Sequence, residues 1–155
     1  MIRVRKFNKR YRAFSISIES LDVLRVLVLK GSNGSGKSTL LKAIKGLIRY
    51  KGRITGECFL LGKLDFPNRL TGKDVSFIYG TIPFRKRLRH LSKGQMQKLK
   101  IDSAFTFDNI LLDEPLDGLD QVNRKYLIDL VKKSHASILI ATHSNMFDEY
   151  EIYRI

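Results

Sequence analysis

The residues most able to do chemistry stand in one short run, Gly31-Ser32-Asn33-Gly34-Ser35-Gly36-Lys37-Ser38. Three glycines allow a tight turn whose backbone N–H groups come close to an oxyanion. A helix opening at the end of the run adds its positive N-terminal end at the same place. Lys37 supplies a point charge for β- and γ-phosphates, and the hydroxyl of Ser38 can ligate Mg²⁺. Thr39 adds a further hydroxyl to the first helical turn. Asn33, Gly34, Ser35, Gly36, Lys37, Ser38 and Thr39 are therefore the expected cradle for a nucleotide's phosphates.

A second group follows the apolar run Ile110–Leu112, where Asp113, Glu114 and Pro115 stand in sequence. Ligands of open parallel sheets bind beyond the carboxyl ends of the strands. Asp113 is placed there to hold Mg²⁺, directly or through water, and Glu114 to polarise an attacking water. Phosphoryl transfer requires both tasks.

The elements that must position these groups alternate along the chain. Ile2–Phe7 and Phe14–Ile18 alternate apolar and polar residues as half-buried strands do, and they pair as an antiparallel side sheet. Val26–Leu29 is a continuous apolar run, the pattern of a strand buried on both faces. Leu40, Leu41, Ile44, Leu47 and Ile48 give a helix over Ser38–Ile48. Arg53–Leu61 and Val75–Tyr79 read as strands. Ser92 caps a helix running to about Phe105. Ile110–Leu112 is a buried strand, Val122–Lys133 a helix, Ser137–Ala141 another buried strand and Ile152–Ile155 a short final one. The pattern predicts an α/β fold with a mostly parallel central sheet.

At 155 residues the chain has the length of one domain, 1–155. Its composition, 43% hydrophobic and 28% charged, allows a packed core and argues against disorder. No apolar run approaches a membrane-spanning helix, and Met1–Arg12 is basic and lacks the apolar core of a signal peptide. The single cysteine, Cys58, excludes an internal disulfide. A reduced, cytoplasmic setting follows. The net charge of +14 favours an anionic partner. Basic residues cluster in Arg3–Arg12 and again in Arg85–Arg89, continuing into Lys93, Lys98 and Lys100.

Further segments stand in order: Leu91-Ser92-Lys93-Gly94-Gln95 before the acidic pair, Asp117-Gly118-Leu119-Asp120 after it, and Ala141-Thr142-His143 at the end of a buried strand. With them, nearly the whole chain resembles the nucleotide-binding domain of the ATP-binding cassette (ABC) superfamily. GSNGSGKST resembles that family's Walker A, ILLDEP its Walker B with the catalytic glutamate, LSKGQ its signature, GLD its D-loop and ATH its switch-histidine region. The resemblance implies a P-loop fold and Mg²⁺-dependent ATP hydrolysis. Two domains pair head to tail, and the signature of one faces the γ-phosphate held by the other. It implies that Glu114, His143 and Lys37 are catalytic, that Ser38 and Asp113 hold the metal, and that Ser92, Gly94 and Gln95 contact the mate's nucleotide. Asp120 would order the dimer interface, and Tyr11 would stack on adenine. His90 and His135 match nothing and read as surface residues.

The chain departs from the family pattern in three places. Only ten residues separate Gly80 from Leu91, too few for a full helical subdomain. Gly80 stands where the family has the Q-loop glutamine, and Lys93 replaces the signature's first glycine. The resemblance implies the ATPase subunit of an ABC transporter, peripheral on the inner face of the cell membrane, bound to a transmembrane permease and to a second ABC subunit of the same or another kind. The basic segments suit an anionic membrane surface or nucleic acid. Two other readings stay open: a soluble ABC-type ATPase acting on nucleic acid or the ribosome, and a catalytically impaired ATP-binding regulatory subunit.

Overall fold

Residues 1–61 and 92–155 are described by the structure, a computed structural model. The expectations for Val75–Tyr79, Gly80, Arg85–Arg89, His90 and the shortened helical subdomain lie outside these residues.

Among the described residues, eight strands form two sheets. β1 (Ile2–Arg10), β2 (Ser15–Val23) and β4 (Lys51–Thr55) make an antiparallel sheet in the order β2-β1-β4. β3 (Val26–Lys30), β5 (Phe59–Leu61), β6 (Asn109–Asp113), β7 (Ser137–Ala141) and β8 (Glu151–Arg154) make a parallel sheet in the order β5-β6-β7-β3-β8. The α-helices among the described residues are α1 (Lys37–Ile44), α2 (Lys93–Ala104) and α3 (Gln121–Lys133). This is the mixed α/β architecture expected, with its antiparallel side sheet.

The continuous apolar runs of β3, β6 and β7 are explained by the period of two along a strand. Leu27, Leu29, Leu111, Leu139 and Ala141 point to one face, where α1 and the antiparallel sheet cover them. Val26, Val28, Ile110, Leu112, Ile138 and Ile140 point to the other, into a second core with Ile101 of α2 and Leu127 and Val131 of α3. A strand buried on both faces has no position left for a polar side chain until it ends.

β1 and β2 run on to Arg10 and Val23, past the expected Phe7 and Ile18, and glycines set two further departures from expectation. α1 stops at Ile44 rather than Ile48 because Gly46 adopts φ +78°, and the N–H groups of Gly46 and Leu47 close back on the carbonyls of Ala43 and Lys42. Leu47, which continued the apolar period, is exposed. The segment Arg53–Leu61 is two strands in different sheets. Gly56 turns the chain between them at φ +106°, where an added Cβ would lie 2.7 Å from the carbonyl oxygen of Met1.

Leu139 is wholly buried at the centre of the parallel sheet, whereas Leu24 is 75% exposed. Leu139→Ala is expected to cost about 2–5 kcal/mol in urea denaturation, and Leu24→Ala less than about 0.5 kcal/mol.

Candidate functional site

Three strands deliver the motifs to one rim. In the sheet, Leu29 of β3 pairs with Ala141 of β7, and Ala141 pairs with Asp113 of β6. The ladder runs one step further, with the Thr142 N–H donating to Leu29 O (3.3 Å) and the Glu114 N–H to Ala141 O (2.8 Å). The phosphate loop, the acidic pair and His143 thus leave the sheet side by side.

The loop from Gly31 turns through Gly34 (φ +81°) and Gly36 (φ +105°) before α1 begins. Both angles lie where a side chain is strained, so the glycine spacing is a backbone requirement. Lys37 is buried, and its Nζ donates to the carbonyls of Gly31 (2.8 Å) and Ser32 (3.1 Å). The same nitrogen lies 3.1 Å from Nε2 of His143. The hydroxyl of Ser35, inside the loop, is the one buried side-chain oxygen or nitrogen without a partner among the described residues.

On the acidic side, Ser38 Oγ donates to Asp113 Oδ1 at 3.1 Å. Glu114 adopts φ +45°, an unusual conformation for a residue with a side chain. The turn brings its carboxylate to β7, where Oε2 accepts from the backbone N–H of His143 (3.3 Å) and Oε1 lies 3.5 Å from Nε2. A cavity of about 500 Å³ opens between these groups, bordered by Asn33, Gly34, Lys37, Thr39, Glu114 and His143.

The remaining expected site residues lie outside this cavity lining. Ser92 and Gln95 form a capping box at the start of α2: Gln95 N donates to Ser92 Oγ (3.2 Å), and Ser92 N donates to Gln95 Oε1 (3.0 Å). Asp120 caps α3, its carboxylate accepting from Asn123 N (2.8 Å) and Asn123 Nδ2 (3.1 Å). The two helix starts are neighbours, since a Cβ on Gly94 would lie 3.7 Å from Asp120 Oδ2. Further along, Gln97 Nε2 donates to Gly118 O (2.5 Å), and the Tyr126 hydroxyl donates to Asp102 (2.6 Å). Burial, reinforced by that bond to the carboxylate, pushes the Tyr126 phenol up to about 12, so it keeps its proton at neutral pH. These contacts tie the segment after Glu114 to α2.

Tyr11 is exposed and stacks on Phe14 with ring centroids 5.0 Å apart, under the ammonium of Lys9 at 4.9 Å. Phe14, not Tyr11, borders the cavity. Phe14 escaped the sequence reading because it counted as the first residue of a strand, although its nearness to Tyr11 was a usable signal.

The parallel sheet, the glycine loop opening a helix and the acidic strand end define a P-loop nucleotide-binding domain. The ABC transporter family model matches residues 19–78. The ergothioneine transport ATP-binding protein of Helicobacter pylori is 30% identical in an alignment of 198 residues that covers 96% of this chain and 90% of that protein. The zinc import ATP-binding protein of Wigglesworthia glossinidia brevipalpis is 29% identical over 149 residues, covering 77% of this chain and 64% of that protein. Among solved structures, a dimeric bacterial ABC transporter cassette superposes with a TM-score of 0.77 at 20% identity, covering all of this chain and 94% of that one. The chain belongs to the ABC transporter ATP-binding family, whose members are in general ATPases.

If Phe14 forms the near edge of the base-binding shelf, Phe14→Ala should weaken binding of a fluorescent ATP analogue about tenfold, and Tyr11→Ala distinctly less, in a titration followed by fluorescence.

Proposed function

We propose that this chain, as one domain over residues 1–155, binds ATP with Mg²⁺ and hydrolyses it as the energy-supplying subunit of a transporter. The observation that carries the reading is the convergence of Lys37, His143 and Glu114, in sequential contact, beside the Ser38–Asp113 pair.

The donor set fits Mg²⁺. Ser38 Oγ and Asp113 Oδ1 are hard oxygens brought within 3.1 Å of one another, and hard oxygens are the donors Mg²⁺ would take. No cluster of three or more acidic, histidine or cysteine side chains is present among the described residues. A cation held by one carboxylate and one hydroxyl, with phosphate oxygens and water completing the shell, is the usual Mg²⁺ arrangement. Bound there, the ion would neutralise charge on the phosphates.

The chain's own groups divide the remaining work. Asn33, Gly34, Ser35, Gly36 and Thr39 line or shape the cradle, and the unpartnered hydroxyl of Ser35 is a donor that an oxyanion in the loop would satisfy. Lys37 can exchange two neutral carbonyl acceptors for anionic phosphate oxygens, which form stronger charge-assisted bonds. Glu114 orients a water for in-line attack on the γ-phosphate, and His143, in contact with both Glu114 and Lys37, bonds to that phosphate. Phe14 with Tyr11 behind it receives the base.

Ser92, Gly94 and Gln95 face the nucleotide of a second subunit, with Asp120 beside them. Gly94 supports this assignment. Its φ is not positive, and among the described residues a Cβ there would meet nothing nearer than 3.7 Å, so their packing does not require a glycine. A bare backbone there leaves room for an oxyanion of the mate's nucleotide to approach. A separate permease supplies the membrane path, a reading supported by the likeness to transport ATP-binding proteins. The subunit sits on the inner face of the cell membrane.

Three measurements test the reading. Phosphate release should stop on chelation of Mg²⁺ and return on its replacement. Glu114→Gln should keep ATP affinity, lose about 100-fold or more in turnover, and accumulate a dimer in ATP by light scattering. Lys37→Ala should lose ATP binding in the fluorescence titration. Parental turnover by Glu114→Gln, or retained affinity in Lys37→Ala, would remove the corresponding role.

A further inference from the structure

Lys30 ends an otherwise apolar strand, Val26-Leu27-Val28-Leu29-Lys30, immediately before the phosphate loop. Only 11% of its side chain is exposed, so an unpartnered ammonium there would carry a heavy desolvation cost. Instead all three of its N–H donors have acceptors: Ser144 O (3.0 Å), Asn145 Oδ1 (3.0 Å) and the carboxylate of Asp148. All three acceptors belong to the stretch that follows His143.

The position of this contact in the sheet explains its use. The β3–β7 ladder ends with Leu29 and Thr142. Beyond that point one chain enters the phosphate loop and the other a 3₁₀ turn, Asn145–Phe147, capped by Ser144. The Lys30 side chain bridges the two chains where backbone pairing has stopped. His143 lies inside the bridged segment, and its side chain is 48% exposed, so packing alone does not fix the imidazole. Its contacts with Lys37 and Glu114 therefore depend on where the backbone of residues 142–145 is held.

We propose that Lys30 is a positioning residue for hydrolysis, clamping the His143 loop to the strand that carries the phosphate loop. The proposal rests on the hydrolytic reading above. Lys30→Met keeps the length and removes the ammonium. It should lower kcat about tenfold while KM for ATP moves less than about twofold, since an ångström of misplacement is costly to turnover. Asp148→Asn removes one acceptor charge at the surface and should lower kcat about threefold, and it carries the same measurements if Lys30→Met does not fold.

The decisive arm is a double-mutant cycle. If Lys30 acts through His143, Lys30→Met in a His143→Ala background should be no slower than His143→Ala alone. A parental kcat in Lys30→Met, or an equal loss with and without His143, overturns the proposal. Proton NMR of the protein without nucleotide supplies a readout independent of turnover, with the His143 imidazole signal assigned by its loss in His143→Ala. A shifted or broadened signal in Lys30→Met supports the clamp, and an unchanged one overturns it. If the parent releases no phosphate, the hydrolytic reading fails while these spectra still decide the clamp.

Discussion

The register of the parallel sheet is the constraint on which the site depends. Leu29, Ala141 and Asp113 lie in one row across three strands, and the chain departs from each strand at that row or within a residue of it. A one-residue slip in a strand reverses every side chain along it. Here it would exchange the two cores and move one motif along the rim. The apolar residues on both faces of β3, β6 and β7 therefore hold the chemistry in place as well as the fold. The phosphate loop and the acidic pair do not touch through β3 and β6 directly. They meet above β7, the intervening strand, which also supplies His143.

Much of this was legible in the residues. The glycine spacing, the apolar strand before it and the carboxylates after another apolar strand place both halves of the site on strand ends, and the order of the motifs supplied the family. Boundaries were less legible because local geometry overrode periodicity. Leu47 and Ile48 continue the apolar period of α1, yet Gly46 ends the helix before them. Arg53–Leu61 reads as one strand, yet Gly56 sends its two halves to different sheets. The contact of Ser38 with Asp113 joins residues far apart in sequence, and only the sheet order brings them together. Lys30 was invisible for the opposite reason: as a lysine after an apolar run it reads as a solvated strand end.

The site also combines rigid and strained parts. α2 and α3 start beside one another with fully engaged caps, Ser92 with Gln95 and Asp120 with Asn123. Those side chains serve their own helix ends and hold the two starts in fixed relation to one another. Glu114 differs, since its φ of +45° costs on the order of 1–3 kcal/mol for a residue with a side chain. The conformation is held from both sides, by the bond from Glu114 N to Ala141 O and by the bond from Asp117 N to Glu114 O. The strain turns the carboxylate from the strand axis toward β7, where it meets the backbone N–H and the imidazole of His143.

Electrostatics then decide how the site responds to an anion. Lys37 donates to two carbonyls of its own loop and touches His143. The carbonyls are neutral acceptors, and a phosphate oxygen is a stronger one by roughly a factor of two. Exchange of partners at Lys37 for an anion is therefore favourable, and in the proposed nucleotide complex the imidazole of His143 would have Glu114 on one side and the phosphate on the other. An imidazole so placed gains from being held, because a half-exposed ring that swings into solvent loses both contacts together. The largely enclosed ammonium of Lys30, bonded to Ser144, Asn145 and Asp148, opposes that swing. Lys30 and Lys37 lie at the two ends of the phosphate loop and differ in task. One lysine is saturated by its own chain and fixes geometry, while the other keeps weak partners that a ligand can replace.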